Sequence, residues 1–234
     1  MILYNTAMGI CAGLSLILVP VLGSKIYRRQ KISAEGWSLT FAAIGLVLTV
    51  LSGLMATTWP LTVNPPINIA FAEPNLFLGV LMLAASLLLW QHRDIINTLG
   101  EEKSTASLVA EARLTRALTP LAYVVFTLGL ILAAVALAIF RFNLVGSAPA
   151  AEPISGLLHD YPVVENSFFG ILYSLAAIGA LLAPFALKKR GVYFTVMSRV
   201  WITAGVCFLL FSVMNYYTHI GLLVNIGNHT NYRF

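Results

Sequence analysis

The sequence predicts an all-α integral membrane protein, a bundle of six transmembrane helices with both termini on the extracytoplasmic side. Three observations carry that prediction. Only 10% of the 234 residues are charged and 59% are hydrophobic, whereas a soluble domain carries about a quarter charged residues. Six apolar runs, at about 5–26, 37–59, 74–91, 120–140, 167–187 and 194–217, are long enough as helices to cross roughly 30 Å of hydrocarbon. Finally, of the 14 Lys and Arg, all but Arg141 and Arg233 lie in or beside the first, third and fifth connections. Basic residues gather on the cytoplasmic side of a membrane protein. The expected location is therefore the cytoplasmic membrane, multi-pass. What lies between the runs is too short for a second domain, so the chain reads as one domain over residues 1–234.

Each run has its own local logic. The start, Met-Ile-Leu-Tyr-Asn-Thr, lacks the basic leader of a secretory signal, so the first run is expected to persist as an anchor. Lys25, Arg28, Arg29 and Lys31 follow it. Along the second run, Gly45, Thr49, Ser52 and Ala56 recur at helical spacing, and Gly170, Ser174 and Ala177 do so along the fifth. Small residues at that spacing let helix backbones approach in lipid. Pro20 and Pro184 are expected to kink the first and fifth helices. Trp37, Trp59 and Trp90 fall at run ends, where amphipathic aromatics sit at the membrane interface. Cys11 and Cys207 each lie inside an apolar run and read as small buried hydrophobes rather than a disulfide or thiolate site.

Between the second and third runs lies Asn64–Asn75, Asn-Pro-Pro-Ile-Asn-Ile-Ala-Phe-Ala-Glu-Pro-Asn. Its three prolines fix φ and remove backbone donors, which predicts a shaped, non-helical connection. It delivers Glu73 to the start of the third helix, and Glu165 occupies a comparable place before the fifth. The two starts share Glu, Asn, Phe, Gly and Leu once one residue is skipped, as in a parallel repeat of helical hairpins. Two readings of the carboxylates stand. Each caps its own helix beside the positive dipole end. Alternatively, Glu73 and Glu165, with Asn68 and Asn75, face a common cation or small polar solute at the extracytoplasmic mouth, since boundary carboxylates are costly enough to be functional suspects.

His159, His219 and His229 fall on the same outward side. His159, Asp160, His219 and Glu165 together offer nitrogen and oxygen ligands suited to a divalent metal ion, although no recognised ligand spacing supports the set. His159-Asp160 also reads as a turn before the fifth helix, and His219 as part of an interfacial polar cluster just beyond the sixth. No histidine lies in mid-membrane, which argues against bis-histidine haem there. A quinone site asks only for an aromatic slot and a hydrogen-bond partner. No phosphate-cradling glycine loop is present, and the basic loops meet anionic lipid rather than nucleic acid.

Thr58-Trp59-Pro60, Ile67-Asn68-Ile69-Ala70-Phe71-Ala72-Glu73-Pro74 and Leu76-Phe77-Leu78-Gly79 resemble a family of small prokaryotic polytopic membrane proteins classed as a domain of unknown function. The resemblance implies a multi-helix fold over most of the chain and supplies no reaction, cofactor or assigned site. Three functions follow as alternatives. The leading one is non-enzymatic: cation or small-solute binding or transport at the outer mouth. The second is an accessory or scaffold subunit that meets other membrane subunits or its own copies in the bilayer. The third is a membrane metalloenzyme or redox subunit using the outward histidines and carboxylates.

Overall fold

Six of the seven α-helices among the described residues are long and apolar enough to cross a membrane. The computed structural model describes residues 2–97, 105–146, 148–189 and 191–233. In chain order the helices are α1 Ile2–Tyr27, α2 Ala34–Thr58, α3 Pro66–Gln91, the short α4 Arg93–Asn97, α5 Thr105–Phe142, α6 Pro162–Lys188 and α7 Val192–Asn228. The expected six-span helical bundle is therefore present, and the chain is a multi-pass membrane protein.

Three boundaries depart from expectation, one of them the start of α5, which begins at Thr105 rather than near 120. The stretch 64–75 is mostly helix, because α3 begins at Pro66. Pro65 and Pro66 occupy the N-cap and first helical positions, where no intrahelical N–H is required. Pro74 lies inside α3, where it leaves the carbonyl of Ala70 without its usual i+4 donor. The Tyr173 hydroxyl on α6 donates to that carbonyl at 2.9 Å. The third departure is α7, which continues to Asn228, so His219 lies within the helix rather than beyond it. Pro20 and Pro184 likewise sit inside α1 and α6.

Consecutive long helices run antiparallel and close a ring. α2 packs mainly on α3, α5 on α6, and α1 on α7; α7 also packs on α6, and α1 on α2. Contact between α3 and α5 completes the circuit. Glycines set the closest approaches. A Cβ at Gly45 would lie 2.9 Å from the Gly79 carbonyl, and one at Gly13 would lie 2.7 Å from the Gly205 carbonyl. The α2–α3 seam is also laced by Ser38 and Ser86, whose hydroxyls donate to each other's backbone carbonyl at 3.0 and 2.8 Å.

The two ends of the ring are built differently. At the basic end, Asn97 accepts the Ala34 N–H at 2.9 Å and donates to Glu35, pinning α4 under the start of α2. At the opposite end lie both chain termini and two hairpin connections, each clamped by one buried asparagine. Asn68 accepts from the Leu61 N–H and donates to the carbonyls of Leu61 and Pro65, all within 3.1 Å. Asn166 accepts from the Val145 N–H and donates to the Ile139 carbonyl at 2.8 Å. Asn64 then donates to Leu144 at 2.8 Å and ties the two connections together.

Candidate functional site

The ring lines an elongated, partly open cavity of about 340 Å³, within the size range of small-molecule sites. On α1 its wall runs from Asn5 to Tyr27, and on α7 from Phe194 to Asn215. At 1.5 Å per residue this amounts to about 30 Å, nearly the full depth of a bilayer core. Most of the wall is aliphatic. Toward the terminal end an aromatic collar is formed by Phe71, Phe169, Tyr173, Phe208 and Phe211. Phe169 meets Phe211 edge-on at 5.0 Å between ring centroids, and Phe71 lies 5.7 Å from Phe169. No Asp, Glu, Lys, Arg or His stands among the described lining residues.

Polar side chains cluster at the terminal end of this chamber: Asn5, Asn75, Ser212 and Asn215. Asn75 spends one amide N–H on the Phe71 carbonyl at 2.8 Å, leaving its second N–H and its Oδ1 without a partner among the described residues. Asn5 Oδ1 is buried with no hydrogen-bond partner among the described residues. The Ser212 hydroxyl and the Asn215 amide also make no hydrogen bond among the described residues. By contrast, Ser15 bonds the Cys11 carbonyl and the Trp201 indole N–H bonds the Ala176 carbonyl. Unspent capacity at buried polar groups costs free energy unless something fills it.

Beside the chamber, a polar knot fastens the α5–α6 connection to α7 and α1. Glu152, only 7% exposed, accepts from the Thr218 hydroxyl at 2.7 Å and lies 3.5 Å from His219 Nε2. His219 Nδ1 is 3.3 Å from the Thr6 hydroxyl. Burial pushes the Glu152 carboxyl above its ordinary range; the Thr218 hydroxyl pulls it back and Glu165 pushes it up further. Asn225 extends the fastening, donating to Ala151 at 2.8 Å. Thr6 and Thr218 are fully buried and neither lines the chamber, so the knot reads as a structural tie.

Of the candidate ligand-binding and metal-ligating residues, Asn75 alone lines the chamber among the described residues. Asn68 is consumed by its clamp. Glu73 is exposed on α3, seven residues inside the helix rather than at its start, while Glu165 accepts the Ala148 N–H at 3.1 Å. No hydrogen bond or ion pair among the described residues joins the two carboxylates. His159 bonds the Ala148 carbonyl at 2.8 Å, Asp160 is exposed in the turn before α6, and His219 pairs with Glu152 instead. No group of three His, Cys, Asp or Glu among the described residues is placed to hold a metal ion. Sequence reasoning missed Asn5 and Ser212 and placed Asn215 only in the interfacial polar cluster with His219; helix register brings the three to one level.

Fold and chamber define a class: a polytopic helical membrane protein built around an uncharged internal cavity with one polar end. Residues 1–221 match the family described as Protein of unknown function (DUF981), and the chain belongs to that family. This is the membership that the resemblance implied, an unknown-function domain covering most of the chain. No curated protein and no solved structure matches it.

Proposed function

We propose that this protein is a non-enzymatic binding protein for a neutral amphipathic molecule, held lengthwise in the chamber with its polar head at the terminal end. The observation that carries this reading is the asymmetry of the wall: apolar over most of its depth, without a charged side chain among the described lining residues, and with its three asparagines all at the terminal end. A charged ligand would be desolvated there without a counter-charge, at a cost of several kcal/mol or more. A fully apolar molecule would leave the Ser212 hydroxyl and the Asn215 amide without partners. The placement of Lys and Arg supports an orientation with the terminal end extracytoplasmic, so the head would lie toward the outer leaflet. A cation shared by Glu73 and Glu165 draws less support, since one carboxylate is exposed and the other holds a loop N–H.

Trp201 makes the reading testable, because it lines the chamber about 16 Å along α7 from Ser212. With Trp37, Trp59 and Trp90 replaced by Phe, a monoacylglycerol brominated near its chain end should quench Trp201 saturably. Ala85→Phe, which fills the chamber from α3, should abolish the saturable part. Quenching that is linear in probe, or unchanged by Ala85→Phe, would show lipid contact at the outer surface instead.

A further inference from the structure

The helix ring is fastened unevenly, and its slightest side is the seam between α3 and α5. Gly79 of α3 faces Thr49 on α2, and Gly129 of α5 faces Leu181 on α6, so neither glycine draws these two helices together. No hydrogen bond among the described residues joins α3 to α5. The buried core divides along the same line. One part binds α1 to α4 through Met8, Phe41, Met82 and Ile96. The remainder belongs to α5, α6 and α7, with Leu16 of α1. On the far side of the ring the two halves are held by the close approach of Gly13 and Gly205. Across the α3–α5 seam they meet toward its ends: Leu114 of α5 joins the first core, and Phe71 of α3 packs against Phe169 and Tyr173.

Between those ends stand Leu81, about 15 Å along α3 from Phe71, and Leu128, about 21 Å along α5 from Leu114. Both are buried and line the chamber, yet neither belongs to the core of either half. The ends of the chamber are better tied. Beside Asn215, the Thr218 hydroxyl donates to Glu152 and Thr6 lies 3.3 Å from His219. At the basic end Tyr27 stacks on Phe194 with 6.0 Å between ring centroids. We infer that the α3–α5 seam is a lateral gate, with Leu81 and Leu128 as its leaves, through which an amphipathic molecule passes between the bilayer and the chamber. Parting an apolar seam in lipid exchanges helix contacts for acyl-chain contacts of similar quality. A route through water would instead expose the chain of the molecule. The inference deepens the proposed binding role and rests on it.

A gate sets rates and leaves affinity alone. The test follows the chain-end-brominated monoacylglycerol entering and leaving the Trp201-only protein in vesicles, with loading read as the onset of saturable quenching and release as its loss into empty vesicles. Leu81→Ala and Leu128→Ala should each speed loading and release together by about tenfold, with the equilibrium affinity unchanged, as a lowered barrier does. Phe194→Ala at the basic end and Thr218→Ala at the terminal end should leave both rates as in the parent protein. In a Cys11→Ser, Cys207→Ser background, bridging the thiols of the Leu81→Cys, Leu128→Cys pair with a cleavable bifunctional reagent should stop exchange, and cleaving the bridge should restore it. Where a trimmed variant does not fold, the bridge decides. Undiminished exchange in the bridged protein would overturn the gate and leave the binding role intact. Acceleration by Phe194→Ala or Thr218→Ala as large as that from the seam variants would overturn it too, by placing the route at an end. Absence of saturable quenching in the parent protein would remove the binding role itself, and the inference with it.

Discussion

Tyr173 is what makes a proline tolerable in the middle of α3. Pro74 has no N–H to give the Ala70 carbonyl, which in lipid has no water to turn to; the phenol on α6 supplies the donor at 2.9 Å. Tyr173→Phe should therefore cost about 1–3 kcal/mol, the penalty of a buried acceptor left unmade. In a Pro74→Ala background the backbone N–H returns, and the same change should cost much less. Reversible unfolding of the four proteins of this cycle measures the coupling; equal costs in both backgrounds would mean the carbonyl is not what the phenol serves. The sequence shows three prolines and predicts a non-helical stretch. It cannot show that two of them fall where no donor is needed, or that a side chain 103 positions beyond Ala70 answers for the third.

Glu152 gives a second prediction at this scale. Its carboxyl is raised in the folded protein, chiefly by burial, so the folded state holds its proton to higher pH than the unfolded chain. Its contribution to stability is then fully present below the ordinary carboxylate range and is lost as pH rises through the raised value. The unfolding temperature of the wild type, minus that of Glu152→Gln, should fall with rising pH across that window. A difference that rises, or stays flat, would contradict the assignment. Nothing in Ala-Ala-Glu-Pro advertises this residue, because burial of a loop carboxylate is decided by the fold around it.

At the scale of elements, the unit is a helical hairpin closed by one asparagine. α2–α3 and α5–α6 are built alike: a tight helix pair, and a connection whose backbone is held by Asn68 in one and Asn166 in the other. Asn68→Ala and Asn166→Ala should each destabilise by about 2–3 kcal/mol, since buried backbone groups lose their partners. Hydrogen exchange should show the loss first in the adjoining connection. A uniform loss with no local opening would mean that the clamps do not hold the loops. The sequence does carry an echo between these hairpins, but letter matching aligns Glu73 with Glu165. Asn68 and Asn166 do the equivalent work, and flanking letters do not reveal a shared task. The spans themselves were legible because apolar length and charge placement are local properties. Ends were less so: α3, α5 and α7 run well past the apolar runs that define them.

For the whole molecule, the ring matters more than any one helix. Its strong pairings are α2 with α3, α5 with α6 and α1 with α7, and the chamber lies where these pairs face one another. Composition predicts that six helices associate in lipid; it does not predict that they leave a hollow. The hollow follows from which faces carry the glycines. Gly45 and Gly79, Gly13 and Gly205, and Gly129 against Leu181 bring backbones together within pairs, while the aromatic collar holds the pairs apart at the terminal end. Asn5, Asn75, Ser212 and Asn215 come from three different helices, which is why no stretch of sequence announces the site.

The most direct measurement is a bromine-position scan on the protein that keeps Trp201 alone among its tryptophans. Monoacylglycerols brominated at successive carbons from head to chain end would each be titrated, and the saturable quenching of Trp201 recorded. A head seated at the polar terminal end with its chain running toward the basic end should give weak quenching from bromine near the head and maximal quenching from bromine far down the chain. The reverse order, or quenching independent of position, would contradict a polar-headed molecule lying lengthwise in the chamber.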